Sequence, residues 1–184
     1  MRIISGLYGG RVLKSPLDYK TRPTSDRLRE TLFNILSPRI HEDIRFLDLC
    51  AGTGAVGIEA LSRGVGFSAF LDRSRKACGL IERNLDLLEV PMEKTEVICD
   101  SAEKYLSREP EKSWEMIFYD PPYEQDHSSV LASIGTNFGG GLTDSGILIV
   151  EHHSKTVLPD MVAEIRRWRL LKQGESHLSF FEKT

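Results

Sequence analysis

The feature that most limits the fold of this chain is a glycine-rich stretch at residues 46–57, with the sequence Phe-Leu-Asp-Leu-Cys-Ala-Gly-Thr-Gly-Ala-Val-Gly. Its apolar start predicts a short buried strand, and the residues after the glycines have the apolar spacing of a helix. Gly52 and Gly54 allow a tight turn in which backbone amides closely approach a ligand. A strand that turns over glycines into a helix is typical of nucleotide-binding α/β proteins.

The glycines alone do not identify the nucleotide. Gly52, Gly54 and Gly57 satisfy the dinucleotide pattern G-x-G-x-x-G, but S-adenosylmethionine is bound by a similar turn. That molecule has no pyrophosphate, and its amino-acid end lies over the glycines. Asp48 could hold its ammonium group, whereas a phosphate site would gain nothing from a carboxylate there. A turn that serves packing alone is the remaining alternative.

Size and composition predict one α/β domain with a small appendage, since the chain has 184 residues of which 40% are hydrophobic. No apolar run has the length of a membrane span, and the N-terminal apolar stretch is too short for a signal peptide. Cys50, Cys78 and Cys99 lack C-x-x-C spacing, so free thiols and a cytoplasmic location are expected. His152 and His153 have no further potential metal ligands near them in the sequence, so no metal is expected. We also expect the protein to be a monomer.

Charge is unevenly distributed along the chain. Residues 1–40 contain eight Lys or Arg and three acidic residues, a net charge of +5, whereas the rest of the chain carries −8. A basic front end on an acidic body favours a polyanionic partner for residues 1–40, although a solvated surface explains the asymmetry equally well. Four arginines are the candidate contacts with the phosphates of such a partner: Arg11, Arg22, Arg27 and Arg29.

Strands and helices are predicted to alternate. Residues 2–14 have the pattern of a β-hairpin, and a helix capped by Thr24 or Ser25 follows, with an apolar stripe at Leu28, Leu32, Ile35 and Leu36. Further strands are predicted at 46–49, 67–71, 96–99, 115–119, 146–151, 167–172 and 177–182. Helices are predicted between the first five, the last of them at about 127–138. The fold class is therefore a doubly wound α/β sheet, and Trp114 and Trp168 are expected in its core.

Two acidic residues end predicted strands after the glycine turn. Asp72 lies about twenty residues beyond the glycines, the spacing at which a carboxylate contacts ribose hydroxyls, although it could instead cap the next helix. Asp100 ends the next strand, where ligands collect in a doubly wound sheet. Ser101 and Glu103 also fit an ordinary helix start, so a purely structural role for this corner stays open.

A second motif, Asp120-Pro121-Pro122-Tyr123, follows an apolar strand. The prolines fix the backbone and remove two N–H donors, which leaves the Asp120 carboxylate and the Pro121 carbonyl as acceptors beside an aromatic ring. Two acceptors can hold both hydrogens of a planar exocyclic amine while Tyr123 stacks on the base. Asp120 can also stabilise the positive charge that develops on nitrogen during methyl transfer. A plain Asp-Pro-Pro turn is the structural alternative.

Six segments together resemble a known family: Ile4-Ser5-Gly6-x-Tyr8-Gly9-Gly10-Arg11, Thr21-Arg22-Pro23-Thr24-Ser25-Asp26-Arg27-x-Arg29-Glu30, Leu47-Asp48-Leu49-x-Ala51-Gly52-Thr53-Gly54, Gly57-Ile58-Glu59-Ala60-Leu61-Ser62-Arg63-Gly64, Asp120-Pro121-Pro122-Tyr123 and Val150-Glu151. The chain is similar to the bacterial 16S ribosomal RNA guanine-N2 methyltransferases that modify guanine 966. It departs from them at Asp72, where the family commonly has Glu, and at Gln173, where the family usually has Tyr.

The resemblance implies a Rossmann-like S-adenosylmethionine methyltransferase sheet of seven strands, the last antiparallel, over residues 41–184. It implies that residues 1–40 form an RNA-binding extension, and that the substrate is 16S ribosomal RNA or the assembling small subunit. The implied catalytic residues are Asp120, Pro121, Pro122 and Tyr123. The implied residues for S-adenosylmethionine are Asp48, Ala51, Gly52, Gly54, Asp72 and Asp100.

The hypothesis is therefore an RNA guanine-N2 methyltransferase. The same acceptor rim would serve adenine N6 in DNA or a protein glutamine amide. A non-catalytic RNA-binding assembly factor and a dinucleotide oxidoreductase are alternatives from other classes, and the latter predicts nicotinamide binding.

Overall fold

The computed structural model describes residues 1–15, 25–122, 127–136 and 141–184. Its helices are α1 (Asp26–Leu36), α2 (Ala55–Ser62), α3 (Arg75–Leu87), α4 (Ala102–Leu106) and α5 (Ser128–Ile134). Its strands are β1 (Arg45–Leu49), β2 (Phe67–Asp72), β3 (Thr95–Cys99), β4 (Trp114–Tyr119), β5 (Leu142–His153), β6 (Met161–Val162), β7 (Ile165–Gln173) and β8 (Ser176–Lys183).

All eight strands form one sheet in the order β3-β2-β1-β4-β5-β8-β7-β6. Strands β1 to β5 are mutually parallel, and β8 is inserted antiparallel between β5 and β7. The predicted doubly wound sheet with an antiparallel last strand is thus confirmed. Strand β6 is additional, and its two residues are too few to show a period in the sequence. The strand order reverses between β1 and β4, which is where such sheets bind ligands.

Alternate residues of the central strands face two apolar layers. Leu47 and Leu49 of β1 pack in a cluster with residues of α4 and α5, whereas Phe46 packs with residues of α1 and α2 on the opposite face. A third cluster joins α2 and α3 to Ile3 and Leu13 of the N-terminal segment. Because helices cover both faces, the central strands are apolar almost throughout, as a parallel sheet requires.

The N-terminal hairpin and the first helix agree with the predicted pattern. A single antiparallel bridge joins Arg2 to Val12, and the Ile3 amide donates to the Arg11 carbonyl at 2.9 Å. Helix α1 begins after Ser25, whose hydroxyl accepts a hydrogen bond from the Leu28 amide at 3.2 Å. Of the two predicted caps Ser25 is therefore used, while Thr24 lies outside the described residues.

The expectation that both tryptophans belong to the core is half wrong. Trp114 is fully buried, but Trp168 has 43% of its surface exposed. The pairing of β7 with β8 shifts register between Arg167 and Arg169, and a bulge of this kind re-aims the side chain that it contains. Helix α5 also ends earlier than the predicted 127–138, with Gly135 at its C-terminal end.

Candidate functional site

The glycine turn is shaped by positive φ angles at three alternate residues. Cys50, Gly52 and Gly54 all have positive φ angles, of 65°, 57° and 78°. A Cβ atom built on Gly52 would have no atom within 4 Å, so the backbone there borders open space. Gly57 is required for a different reason: its Cβ would lie 2.4 Å from the ring of Phe70, because α2 packs tightly on β2. The turn thus combines room for a ligand with close helix–strand contact.

Asp48 lies beneath this turn and is only 2% exposed. Its Oδ2 accepts a hydrogen bond from the Gly57 amide at 2.9 Å. Burial raises the pKa of Asp48 to about 7, the Gly57 hydrogen bond opposes this rise, and the charge of Asp72 adds to it. A buried carboxylate of this kind gains stability from an added cation. Asp48 could therefore hold the ammonium group of a ligand, and Ala51 and Gly52 follow it in the turn.

Asp72 ends β2 and holds the turn in place. Its Oδ2 accepts from the Gly52 amide at 2.9 Å, and its Oδ1 accepts from the Ser74 amide at 2.8 Å. Ser74, not Asp72, caps α3, since its hydroxyl accepts from the Ala77 amide. The carboxylate is partly exposed beside the turn, where it can also accept hydrogen bonds from ribose hydroxyls.

Asp100 directly follows the neighbouring strand β3, and its carboxylate already has partners in the protein. Oδ2 pairs with the Arg108 guanidinium at 2.6 Å, and Oδ1 accepts from the Ser101 amide at 3.0 Å and lies 3.6 Å from the Lys104 ammonium. Ser101 caps α4. These contacts favour the structural alternative for the Asp100 carboxylate, and its role toward a cofactor stays a prediction.

The Asp-Pro-Pro corner lies against the glycine turn. Tyr119 pairs with Leu49 at the ends of β4 and β1, and the Asp120 amide faces the Leu49 carbonyl at 3.4 Å. Burial, then the charges of Glu151 and Asp48, raises the pKa of Asp120 well above its ordinary value. The two motifs are therefore close enough to interact electrostatically.

The other residues of this corner differ in what the structure describes. Pro121 is buried and Pro122 is exposed. Tyr123 lies outside the described residues.

Cys50 lies within the turn, and the same carboxylates affect the pKa of its thiol. Burial and then the charges of Asp72, Asp120 and Asp48 raise the pKa of its thiol to about 12. The thiol is therefore protonated at neutral pH and is no candidate nucleophile. Its surroundings show that carboxylates from the ends of β1, β2 and β4 share one edge of the sheet.

The prediction that Arg29 contacts RNA is wrong. The side chain is fully buried and donates to the Arg2 carbonyl, to Asp26 at 3.1 Å, and approaches Glu59 at 3.7 Å through Nε. It therefore has no access to a phosphate. The helix period put Arg29 off the apolar stripe, but the N-terminal segment covers that position.

Of the other three predicted RNA contacts, the two within the described residues are exposed to solvent. Arg27 is exposed on α1, and Arg11 is exposed in the hairpin, where its guanidinium donates to the Leu87 carbonyl at 2.9 Å. Arg22 lies outside the described residues. Arg11 and Arg27 as RNA contacts stay predictions.

Two buried polar residues that the sequence did not single out fasten the N-terminal segment. The Glu59 carboxylate accepts from the amides of Ile4 at 2.7 Å and Ser5 at 3.1 Å, and from Nε of Arg63 at 2.8 Å. The only signal for this role in the sequence is a glutamate in the middle of an otherwise apolar helix. We refer to Glu59 and these partners, together with Arg29, as the Glu59 node.

Asn84 makes the second connection. Its Oδ1 accepts from the Lys14 amide at 2.8 Å, and its Nδ2 donates to the carbonyls of Lys14 at 3.1 Å and Thr53 at 3.0 Å. The side chain is fully buried. One amide group thus joins the end of the hairpin to the glycine turn.

Within the residues that the structure describes, no group of three or more His, Cys, Asp or Glu side chains is arranged to hold a metal ion. In the same residues no helix combines the length and apolar character needed to cross a membrane.

Known proteins share both the sequence and the fold. A family model described as conserved hypothetical protein 95 matches residues 1–182. The chain is 35% identical over 185 residues to the Bacillus subtilis protein YlbH, covering 100% of this chain and 99% of that protein. It is 32% identical over 173 residues to ribosomal RNA small subunit methyltransferase D of Escherichia coli K12, covering 94% and 83%. The structure of the E. coli protein YhhF superimposes with a TM-score of 0.87 at 30% identity, covering 100% of this chain and 97% of that one.

Proposed function

The chain is a methyltransferase of the conserved hypothetical protein 95 family, the family of the small-subunit ribosomal RNA methyltransferase D proteins, and on this premise we propose that it methylates N2 of a guanine in 16S ribosomal RNA, at position 966. The methyl donor is S-adenosylmethionine, and the reaction takes place in the cytoplasm on the RNA or on the assembling small subunit. The observation that carries the proposal is that the Asp-Pro-Pro corner and the glycine turn meet at one edge of the sheet, where the Asp120 amide donates to the Leu49 carbonyl at 3.4 Å.

The residues of the glycine turn fit the proposed methyl donor. Asp48 would hold its ammonium group, the backbone at Ala51, Gly52 and Gly54 leaves room for its amino-acid end, and Asp72 would meet its ribose. When bound, S-adenosylmethionine supplies an electrophilic methyl group on a sulfonium centre.

The Asp-Pro-Pro corner activates the amine. The N2 amine of guanine is a weak nucleophile because its lone pair is delocalised into the ring. The Asp120 carboxylate and the Pro121 carbonyl would accept hydrogen bonds from its two N–H groups, which draws nitrogen toward tetrahedral geometry. The positive charge that develops on nitrogen is stabilised by Asp120, which then accepts a proton. The raised pKa of Asp120 favours that transfer.

The N-terminal extension, residues 1–40, would hold the RNA around the target through exposed cations such as Arg11 and Arg27. The target guanine must be unpaired or turned out of its stack to reach Asp120 at the edge of the sheet.

The test uses small-subunit particles and protein-free 16S RNA from cells that lack this protein. Purified protein and labelled S-adenosylmethionine are added, and the RNA is digested and mapped by mass spectrometry. We expect one N2-methylguanine at position 966. Asp120→Asn should lower the methylation rate by about 100-fold or more while leaving the dissociation constant of the methyl donor within about twofold. Label in DNA or protein instead of RNA, or an unchanged rate for Asp120→Asn, would contradict the proposal.

A further inference from the structure

A third carboxylate stands beside the Asp-Pro-Pro corner. Strands β4 and β5 are parallel, and their last paired residues are Tyr119 and Val150. Asp120 directly follows β4 and Glu151 is the next residue of β5, so the two lie side by side just beyond the residues that pair these strands. Glu151 is only 3% exposed, although its side chain carries a carboxyl group.

The alternation of the strands places both carboxylates on the same face of the sheet. Phe118 and Ile149 each lie two residues earlier and pack in the same apolar cluster, on the face covered by α1 and α2. Asp48 follows Phe46 of that cluster in the same way. Asp48 is level with Phe118, one pleat below Asp120. The methyl-donor side and Glu151 therefore flank Asp120 on one face.

The electrostatics agree with this placement. After burial, the charge of Glu151 is the largest contribution to the raised pKa of Asp120, ahead of the charge of Asp48. Two carboxylates held side by side in a low-dielectric corner repel each other, and hydrogen-bond donors from a ligand relieve that repulsion.

Guanine has such donors in adjacent positions. Its Watson–Crick edge presents the N1–H group directly beside the N2 amine, whereas adenine presents its amine beside an N1 lone pair. We propose that Glu151 selects guanine by accepting a hydrogen bond from N1–H while Asp120 accepts from the N2 amine. The inference rests on the proposed function and adds the group that determines the base. An adenine amine at Asp120 would set the N1 lone pair against the Glu151 carboxylate, with no N–H group between them.

The discriminating probe is 2-aminopurine, which keeps the exocyclic 2-amine but has no hydrogen on N1. Small-subunit RNA carrying guanine or 2-aminopurine at the target position is prepared by ligation and, where particles are required, reconstituted into them. The value of kcat/KM is measured for both RNAs with wild type, Glu151→Ala and Glu151→Gln.

Wild type should prefer guanine to 2-aminopurine by about 10³-fold or more, since a site built to accept a hydrogen bond strongly rejects the analogue that lacks the donor. Glu151→Ala should lower kcat/KM for guanine by about 100-fold and leave 2-aminopurine nearly unchanged, so that the preference falls to roughly tenfold. Glu151→Gln keeps an acceptor without its charge and should retain an intermediate preference. Both variants should bind S-adenosylmethionine like wild type, which shows that they are folded.

A Glu151→Ala variant that binds the methyl donor and keeps the wild-type preference would overturn the inference alone. A wild-type protein that methylates neither RNA would overturn the proposed function and the inference together, so the two failures are distinguishable.

Discussion

The Glu59 node provides the sharpest test of what holds the N-terminal segment to the body of the protein. The Glu59 side chain is fully buried and accepts three hydrogen bonds of 2.7–3.1 Å, from Ile4, Ser5 and Arg63, with Arg29 3.7 Å away. Glu59→Gln preserves the shape of the side chain but replaces one acceptor oxygen by a donor. At least one buried N–H group then faces another donor, and the Arg29 charge loses a buried partner.

The magnitude follows from these losses. Removing one member of a buried ion pair costs about 3–5 kcal/mol, and a buried donor without an acceptor costs ~1–3 kcal/mol. The two costs are not added, because here they describe partly the same lost interactions. Arg29 keeps Asp26 at 3.1 Å, but that carboxylate is half exposed and compensates in part. We therefore expect the free energy of unfolding to fall by about 4 kcal/mol, a large part of the ~5–15 kcal/mol typical of a domain.

Urea denaturation followed by circular dichroism measures this change. With a slope of ~2 kcal/mol per molar urea, the midpoint should fall by about 2 M. Hydrogen exchange at the Ile4 and Ser5 amides should accelerate more than at the central strands. The matched control is Glu82→Gln on the exposed face of α3, which should shift the free energy of unfolding by less than ~0.5 kcal/mol. A midpoint within about 0.5 M of wild type for Glu59→Gln, at the same slope, would refute the reasoning.

Three further predictions concern the turn and the extension. Binding of S-adenosylmethionine, measured by calorimetry, should strengthen as pH rises toward about 7 and then level off, because only ionised Asp48 attracts the ammonium group. Asp48→Asn should abolish the pH dependence of binding. Because the pKa of Asp48 is raised in the folded protein, its ionisation destabilises the ligand-free fold as pH rises through about 7. The variant should therefore be more stable than wild type at pH 8. Arg27→Ala should weaken RNA binding several-fold and reduce the slope of log K against log salt by ~0.7–0.9, with the thermal midpoint unchanged; an unaltered salt slope would remove Arg27 from the interface. Gly57→Ala should lower the free energy of unfolding by about 1–3 kcal/mol, because its methyl group would meet Phe70, and a neutral result in denaturation would contradict the packing argument.

The strands and the glycine turn could be predicted because their signals are local. Asp48, Gly52 and Asp120 each lie next to a short apolar run, and the ends of parallel strands meet at one edge whatever the details of packing. The antiparallel last strand was expected from the resemblance and not from any local pattern. Element ends were less predictable, as the early end of α5 shows.

The attachments between distant parts of the chain were not predictable from local pattern. Arg29 has the helical position of a surface residue, and it is buried only because Arg2 and Glu59, far away in sequence, close over it. The exposure of Trp168 likewise depends on a bulge in the pairing of β7 and β8. Such contacts are tertiary, and helical or strand periodicity contains no information about them.

The Asn84 amide has a thermodynamic consequence for catalysis. It is bonded at once to the Lys14 backbone and to the Thr53 carbonyl, so displacement of either one strains the other. Coupling of this kind is reciprocal. If a bound methyl donor increases the affinity for RNA by some factor, bound RNA must increase the affinity for the methyl donor by the same factor. Four dissociation constants, those of RNA and of the methyl donor each measured with and without the other ligand, would give that factor in two independent ways.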